Sequence, residues 1–437
     1  DWRMILNLAE VLKKKGRSFS QITMKYYGKL KPFLFWINPS TYSNFKTNIL
    51  RVVFKMFYSM EPGELYDKDF KQGVNLIGYP LADIGEGEFI RQTGRSLARV
   101  DIDFGVYNSE ARLGQNNQRL PSLIQSNNPY LVNIFHLKPD QIEASIIRRG
   151  ESLVEGHFNI GYWAWELSKC PVAWVSSLKY FHEIWCPSRF IQSALSDVSV
   201  RPTLYMPPAL DIEKSTRFDR RYFKLPENQF TFLFVFDFKS CFARKNPLGC
   251  IQAFRNAFSN GNEGVGLVIK SMDGDQYPNE FKLLNAAVQS DPRIKIINNT
   301  FTSDEIIGLM NVCDAFVSLH RSEGIGLSIA QSMLLGKPVI ATNYSGNTDF
   351  TRPDNSCLVD YKLIEVKKGE YPYSKGQVWA DPNIDQAASY MRRLVEDEIY
   401  RNTVAKAGHS YIKTHHNSEA VGKNYRSRLI ELGLINN

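Results

Sequence analysis

Leu319–Pro338 reads LHRSEGIGLSIAQSMLLGKP, and the fold is read outward from it. The stretch closes an apolar run, Ala315-Phe316-Val317-Ser318-Leu319, short enough for a buried strand. A polar turn with two glycines follows, Glu323-Gly324-Ile325-Gly326. Then comes a helical spacing that puts Leu327, Ala330 and Leu334 on one face. Gly336 is the expected stop, and Pro338 prevents continuation. A strand, a Gly-rich turn and a helix start, in that order, make an anion site. The first N–H groups of the helix are unpaired, and its dipole favours negative charge. On this reading Gly324 and Gly326 let a phosphate approach the backbone.

The same alternation continues on both sides. Strands are expected at Phe230–Phe238, Gly266–Ser271, Ile294–Asn299, Ala315–Leu319 and Pro338–Thr342, each followed by a helical pattern. Asn246-Pro247 suits a helix start, and Thr302-x-x-Glu305 a capping box. An earlier series reads Val74–Tyr79, Asp103–Tyr107, Tyr130–Leu137, Phe158–Glu166 and His182–Ser188. Alternating βα units imply parallel sheets covered by helices. We therefore expect a helical extension over 1–70, a first Rossmann-like domain over 71–210, a charged linker over 211–228 and a second domain over 229–437. Past Asp360 two or three helices are expected, including amphipathic stretches at Asp381–Val395 and Ser418–Leu432.

A chain of 437 residues, 43% hydrophobic and 22% charged, suits two globular domains. No uninterrupted apolar run is long enough to span a membrane. With Asp1 and not Met at its start, the chain is expected to be processed or part of a longer protein. Six cysteines without a Cys-x-x-Cys pair suggest buried thiols in a reducing, cytoplasmic setting. The net charge of +8 suits anionic partners, and no nucleic-acid motif appears. The run from Lys29 to Met60 mixes aromatics with cations. It reads either as a helical layer on the first domain or as a surface touching anionic lipid at the inner membrane face.

Chemistry-bearing residues recur at strand ends, where open α/β sheets bind ligands. Asp237-Phe238-Lys239-Ser240 leads through Arg244 and Lys245 to a helix start, which suits a diphosphate; Lys270 ends the next strand. His136 ends Tyr130–Leu137, and is either a core histidine or a cleft residue. Trp163, Trp165 and Glu166 end Phe158–Glu166; the tryptophans could stack on a sugar or fill the core. Gly85-Glu86-Gly87 is an incomplete glycine fingerprint. Asp101-Ile102-Asp103 and Asp273-Gly274-Asp275 could each chelate a metal, but three-residue patterns arise by chance, and no metal is expected.

Taken together, Glu323-Gly-x-Gly-Leu, a polar residue eight positions after the Glu, and Gly336-Lys-Pro-Val-Ile-Ala-Thr resemble the donor-site signature of retaining GT-B glycosyltransferases of family 4. The resemblance spans roughly residues 130–430. It implies two Rossmann-like, doubly wound domains facing across a cleft. It also implies transfer of a sugar from a UDP- or GDP-linked donor to a glycan or lipid-linked acceptor, as in surface-polysaccharide synthesis, with no metal or other cofactor. By resemblance His136, Glu323, Arg244 and Lys245 are catalytic. Ser240, Lys270, Thr300, Gly324, Ile325, Gly326, Leu327 and Gln331 bind the donor; Gly85, Gly87, Trp165 and Glu166 face the acceptor. Two departures stand out. The family's Gly-Arg after the first strand is replaced by Asp237-Phe238, and its second Glu by Gln331. The latter opens an alternative, a GT-B subunit that binds sugar nucleotides without turning them over. Released nucleotide separates the two.

Overall fold

The computed structural model describes residues 66, 69–82, 85–109, 127–212, 217–261 and 264–436. The expected helices of the first 65 residues, and with them the basic-aromatic run Lys29–Met60, lie outside the described residues.

The first domain holds a six-stranded parallel sheet, ordered β2-β1-β3-β4-β5-β6. Its strands are β1 Lys71–Gly78, β2 Phe104–Asn108, β3 Tyr130–Phe135, β4 Phe158–Tyr162, β5 Glu183–Cys186 and β6 Thr203–Tyr205. Helices α1 Gly85–Ala98, α2 Pro139–Arg149 and α3 Arg189–Ser196 follow β1, β3 and β5. The near-continuous apolar strands are buried on both faces, as a parallel sheet requires. Helix α3 starts as expected, with the Ser188 side chain accepting from Ile191 N.

The second sheet is also six-stranded and parallel, ordered β12-β11-β10-β7-β8-β9. It comprises β7 Phe230–Asp237, β8 Val265–Met272, β9 Ile294–Asn298, β10 Ala315–Ser318, β11 Val339–Thr342 and β12 Cys357–Val359. Its helices before β12 are α4 Phe242–Lys245, α5 Pro247–Ala257, α6 Pro278–Val288, α7 Ser303–Val312 and α8 Leu327–Leu334. The Thr302–Glu305 capping box forms at α7. Strand order reverses between β7 and β10. Their carboxyl ends therefore diverge into a crevice, and Arg244, Lys245 and Glu323 fall there.

Past Asp360 the fold departs from expectation. An antiparallel hairpin, β13 Tyr361–Glu365 and β14 Val378–Pro382, comes before the helices. Its Val366 and Trp379 are buried in the hydrophobic core of the first domain, beside Trp163, Trp165 and Trp174. Helices α9 Ile384–Glu396, α10 Glu398–His415 and α11 Ser418–Glu431 end the chain. Helix α11 lies on the first domain: Tyr425 stacks on Trp185 with ring centroids 5.0 Å apart, and Arg428 pairs with the buried Glu183 at 2.7 Å. A Cβ at Gly422 would stand 2.3 Å from Ser96 O, so α11 can approach α1 this closely only through glycine. The two domains are thus joined by the hairpin on one side and α11 on the other.

Candidate functional site

A cleft of about 1660 Å³ separates the carboxyl edges of the two sheets. Its second-domain wall begins in the loop after β7. Asp237 accepts from Lys239 N, which turns the chain into the one-turn helix α4. Asn246 then takes a left-handed conformation, φ 54°, and its Nδ2 donates to Leu319 O at the end of β10. Arg321 N donates to Arg244 O at 2.7 Å. These bonds zip the β7 and β10 loops together and bring Arg244 and Lys245 against Glu323. Arg244 Nη1 lies 3.2 Å from Glu323 Oε2 and donates to Ser322 O at 2.8 Å. Lys245 Nζ pairs with Glu323 Oε1.

The triad is deeply buried, so its charges must balance. Burial pushes the Glu323 carboxyl up, but Lys245, Arg244 and His320 outweigh it and bring it down to about 2. Burial also lowers the Lys245 ammonium, against the pull of Glu323. The Glu323 carboxylate is thus held ionised between the two basic side chains.

Glu323, Gly324, Ile325, Gly326 and Leu327 line the cleft, as do Ser240, Lys270 and Gln331. The fold itself also calls for glycine at both positions. A Cβ at Gly324 would stand 3.0 Å from Trp165 O of the first domain, and Gly326 has φ +86° at the start of α8. The turn is further held by Ser188 Oγ donating to Gly324 O at 2.7 Å and by Gly346 N donating to Glu323 O. Lys270 Nζ donates to Ser271 O and Asn299 O and sits 4.6 Å from the Phe301 ring centre. Burial lowers its ammonium to about 8. Thr300, expected beside the donor, is exposed and off the cleft wall; Phe301 takes that place.

The first-domain wall differs more from expectation. Glu166 lines the cleft, and Gly85 comes across to within 3.9 Å, measured from its missing Cβ, of Leu327 Cδ1. Gly87 does not line it. Its Cβ would stand 2.1 Å from Ala82 O, so this glycine lets α1 pack on the preceding turn. Trp165 is also core: it is 3% exposed, its Nε1 donates to Lys169 O, and its ring meets Trp174 edge-on at 5.0 Å. The strand β4 ends at Tyr162, so in-and-out alternation does not extend to residue 165.

His136 is buried one layer behind the cleft. Phe89, which does line it, meets the His136 ring edge-on at 4.9 Å, and Tyr162 tilts against it at 5.1 Å. Neither ring nitrogen has a hydrogen-bond partner, and burial lowers the imidazole to about 3.

Asp273 is tied to Lys239 at 2.6 Å, and Asp101 and Asp103 precede β2, at the sheet end away from the cleft. Among the described residues no three His, Cys, Asp or Glu side chains converge. No described helix is long and apolar enough to cross a membrane.

The reading of the sequence missed Tyr371, which lines the cleft from the β13–β14 hairpin and donates to Glu166 Oε2 at 2.7 Å. The available signal was Tyr361-Lys-Leu-Ile-Glu-Val followed by Gly369, Pro372 and Gly376, a strand with turn residues behind it.

Residues 215–411 match the family described as glycosyl transferases group 1. No curated protein matches the chain as a sequence relative. Among solved structures, HepE of Anabaena in complex with UDP and glucose is 16% identical; the match covers 82% of this chain and 100% of that one, with a TM-score of 0.56. Sucrose-phosphate synthase of Thermosynechococcus elongatus is 14% identical over 83% of this chain and 99% of that one, with a TM-score of 0.60. A mutant of S. aureus TarM in complex with fondaparinux, α-GlcNAc-glycerol and UDP is 11% identical over 73% and 57%, with a TM-score of 0.52. At these identities the likeness is one of fold: two facing Rossmann-like domains, the GT-B arrangement.

Proposed function

We propose, from the match of residues 215–411 to the glycosyl transferases group 1, that the chain transfers a sugar, with retention at the anomeric carbon, from a UDP- or GDP-linked donor to a glycan or lipid-linked acceptor. The observation that carries this is the Arg244–Glu323–Lys245 triad in the crevice between β7 and β10, beside the start of α8.

Breaking the sugar–phosphate bond leaves negative charge on the diphosphate, and donors fixed in advance lower that barrier most. Arg244 and Lys245 are held by backbone hydrogen bonds before any substrate arrives. An incoming diphosphate takes over the two cations. The Glu323 carboxylate is then free to accept from sugar hydroxyls, so one charge exchange places both ends of the donor. Gln331, on the cleft face of α8, holds the ribose, and the α8 N–H groups cap the phosphates. On the first domain, Glu166 faces the acceptor, and His136 reaches the reacting centre only if Phe89 swings aside. A peripheral contact with an anionic membrane face through the first 65 residues remains part of this proposal.

Calorimetry with UDP, GDP and ADP tests the donor site, and absence of binding by all three would overturn it. A panel of UDP- and GDP-sugars, with nucleotide release as readout, identifies the donor. The anomeric configuration of the product, read by NMR, tests retention.

A further inference from the structure

One side of the cleft is walled by the hairpin that the second domain sends into the first. Three features fasten its tip. Lys169 N and O exchange hydrogen bonds with the Gln377 side chain, and Lys169 Nζ donates to Gly376 O. The Tyr371 and Tyr373 rings pack on Trp165. Tyr371 itself spans the cleft: its ring lies 5.8 Å from the Arg244 guanidinium and its hydroxyl bonds to Glu166. Its side chain thus touches both the triad and the first-domain carboxylate.

We propose that Tyr371 is a positioning residue for Glu166: its hydroxyl takes Oε2 and leaves Oε1 to receive a hydrogen bond from the attacking hydroxyl of a sugar-like acceptor. Three observations support it. Glu166 lines the cleft, and the hydrogen bond that fixes its carboxylate among the described residues is the one from Tyr371 to Oε2. The Glu166 backbone is fixed independently, its carbonyl accepting from Ser322 Oγ, so losing the Tyr371 hydroxyl frees the carboxylate without freeing the backbone. The bond also has one possible direction. Burial, with Glu166 beside it, keeps the phenol protonated well above its usual range, so Tyr371 donates.

The charges around Glu166 come from every neighbouring element. Burial raises its carboxyl, but Lys138 from the start of α2, Arg244 from α4 and the Tyr371 bond outweigh burial, while Glu323 works against them; the net shift is downward. Lys245, beyond Glu323, adds to the cationic side. Glu166 therefore stays ionised through the neutral range as an acceptor-only group. Without the Tyr371 hydroxyl, the ionised form loses a donor, and the carboxyl rises.

This inference rests on the transfer reading, and its test separates the two. Nucleotide release from the donor found in the panel is measured from pH 4 to 8 for the unaltered protein, Tyr371→Phe, Glu166→Gln and the double variant. Phe keeps the ring beneath Arg244. In Tyr371→Phe, kcat should fall about tenfold through the neutral range, where Glu166 is ionised with or without the hydroxyl, and the acid limb should move to higher pH, with the donor KM unchanged. In the Glu166→Gln background the same change should cost nothing more. Affinity at pH 8 for the nucleoside diphosphate of that donor, equal to that of the unaltered protein, shows that the site is intact. An acid limb that does not move, a raised donor KM, or a further loss in the Gln background would overturn the positioning role. If the unaltered protein cleaves no donor, the transfer reading itself fails, and this inference falls with it.

Discussion

The two walls of the cleft are built on different principles. On the second-domain wall, Arg244, Lys245 and Glu323 satisfy one another's charge, and their loops are tied by backbone hydrogen bonds. Each residue lies within a short run after a strand. On the first-domain wall, the polar groups come from distant segments, and one of them, His136, has no hydrogen-bond partner for its ring nitrogens among the described residues. The second-domain wall is thus held by its own short-range bonds, while the first-domain wall is finished by packing and by a residue lent from the other domain, Tyr371. A wall made by local geometry is preorganised; a wall made by packing can rearrange. Six substitutions at five positions probe this contrast.

The largest effect is expected at the triad. Glu323→Ala leaves Arg244 and Lys245 buried without their carboxylate. Arg244 cannot shed its proton, so the cost should be about 3–5 kcal/mol of folding stability. Urea denaturation measures it, and a loss below about 1 kcal/mol would show the site to be far wetter than its burial implies.

On the opposite wall two neighbouring glycines should behave differently. Gly87→Ala puts a methyl group 2.1 Å from Ala82 O and should cost up to about 3 kcal/mol, because backbone has to move. Gly85→Ala meets only Leu327 Cδ1 at 3.9 Å and should lie within about 0.5 kcal/mol of neutral. Paired thermal melts decide this. Equal losses would mean that Gly87 is not held where the packing places it.

His136 supplies a pH test. Its ring protonates at about 3 in the fold, against about 6.5 in the unfolded chain. Between those values the unfolded chain binds a proton that the fold does not, so stability is lost as pH falls below about 6.5. The loss is about 1.4 kcal/mol per pH unit, or roughly 2 kcal/mol at pH 5. His416 and His320 act in the same direction. His136→Phe should remove only its own share, flattening the fall in unfolding free energy between pH 6.5 and 5 by about one proton. An unchanged slope would mean that the ring already reaches solvent past Phe89.

These contrasts explain what could be read from the residues alone. The parallel sheets, the caps at Asn246 and Thr302, and the turn at Glu323–Gly326 are local, and the spacing of a few residues specifies them. Trp165 was misread because the strand was taken four residues too far, and past Tyr162 the alternation rule no longer applies. Gly87 was expected to face the acceptor, whereas it makes room for Ala82 O; Gly324 lines the cleft as expected and also makes room for a carbonyl of the first domain. Gly324 meets Trp165 across 159 positions. The reach of Tyr371 to Glu166 spans 205 positions and two domains. No local pattern encodes such a contact.

The smallest effect belongs to Gln331, and it sharpens the donor wall most. The residue sits half-buried on α8, eight positions after Glu323, and lines the cleft. If it holds the ribose, it accepts from one hydroxyl and donates to the other, because each hydroxyl can do both. What it lacks against a carboxylate is charge assistance, worth about 1 kcal/mol. Gln331→Glu should therefore tighten a nucleoside diphosphate by up to about tenfold, or roughly 1.4 kcal/mol. Gln331→Ala should weaken it. Calorimetry with the nucleotide that binds distinguishes the outcomes. The new carboxylate would also add a negative charge to a wall whose cations are already shared with Glu323. If Gln331→Glu weakens binding, that repulsion exceeds the charge assistance, and the ribose must be held by other groups on the donor wall.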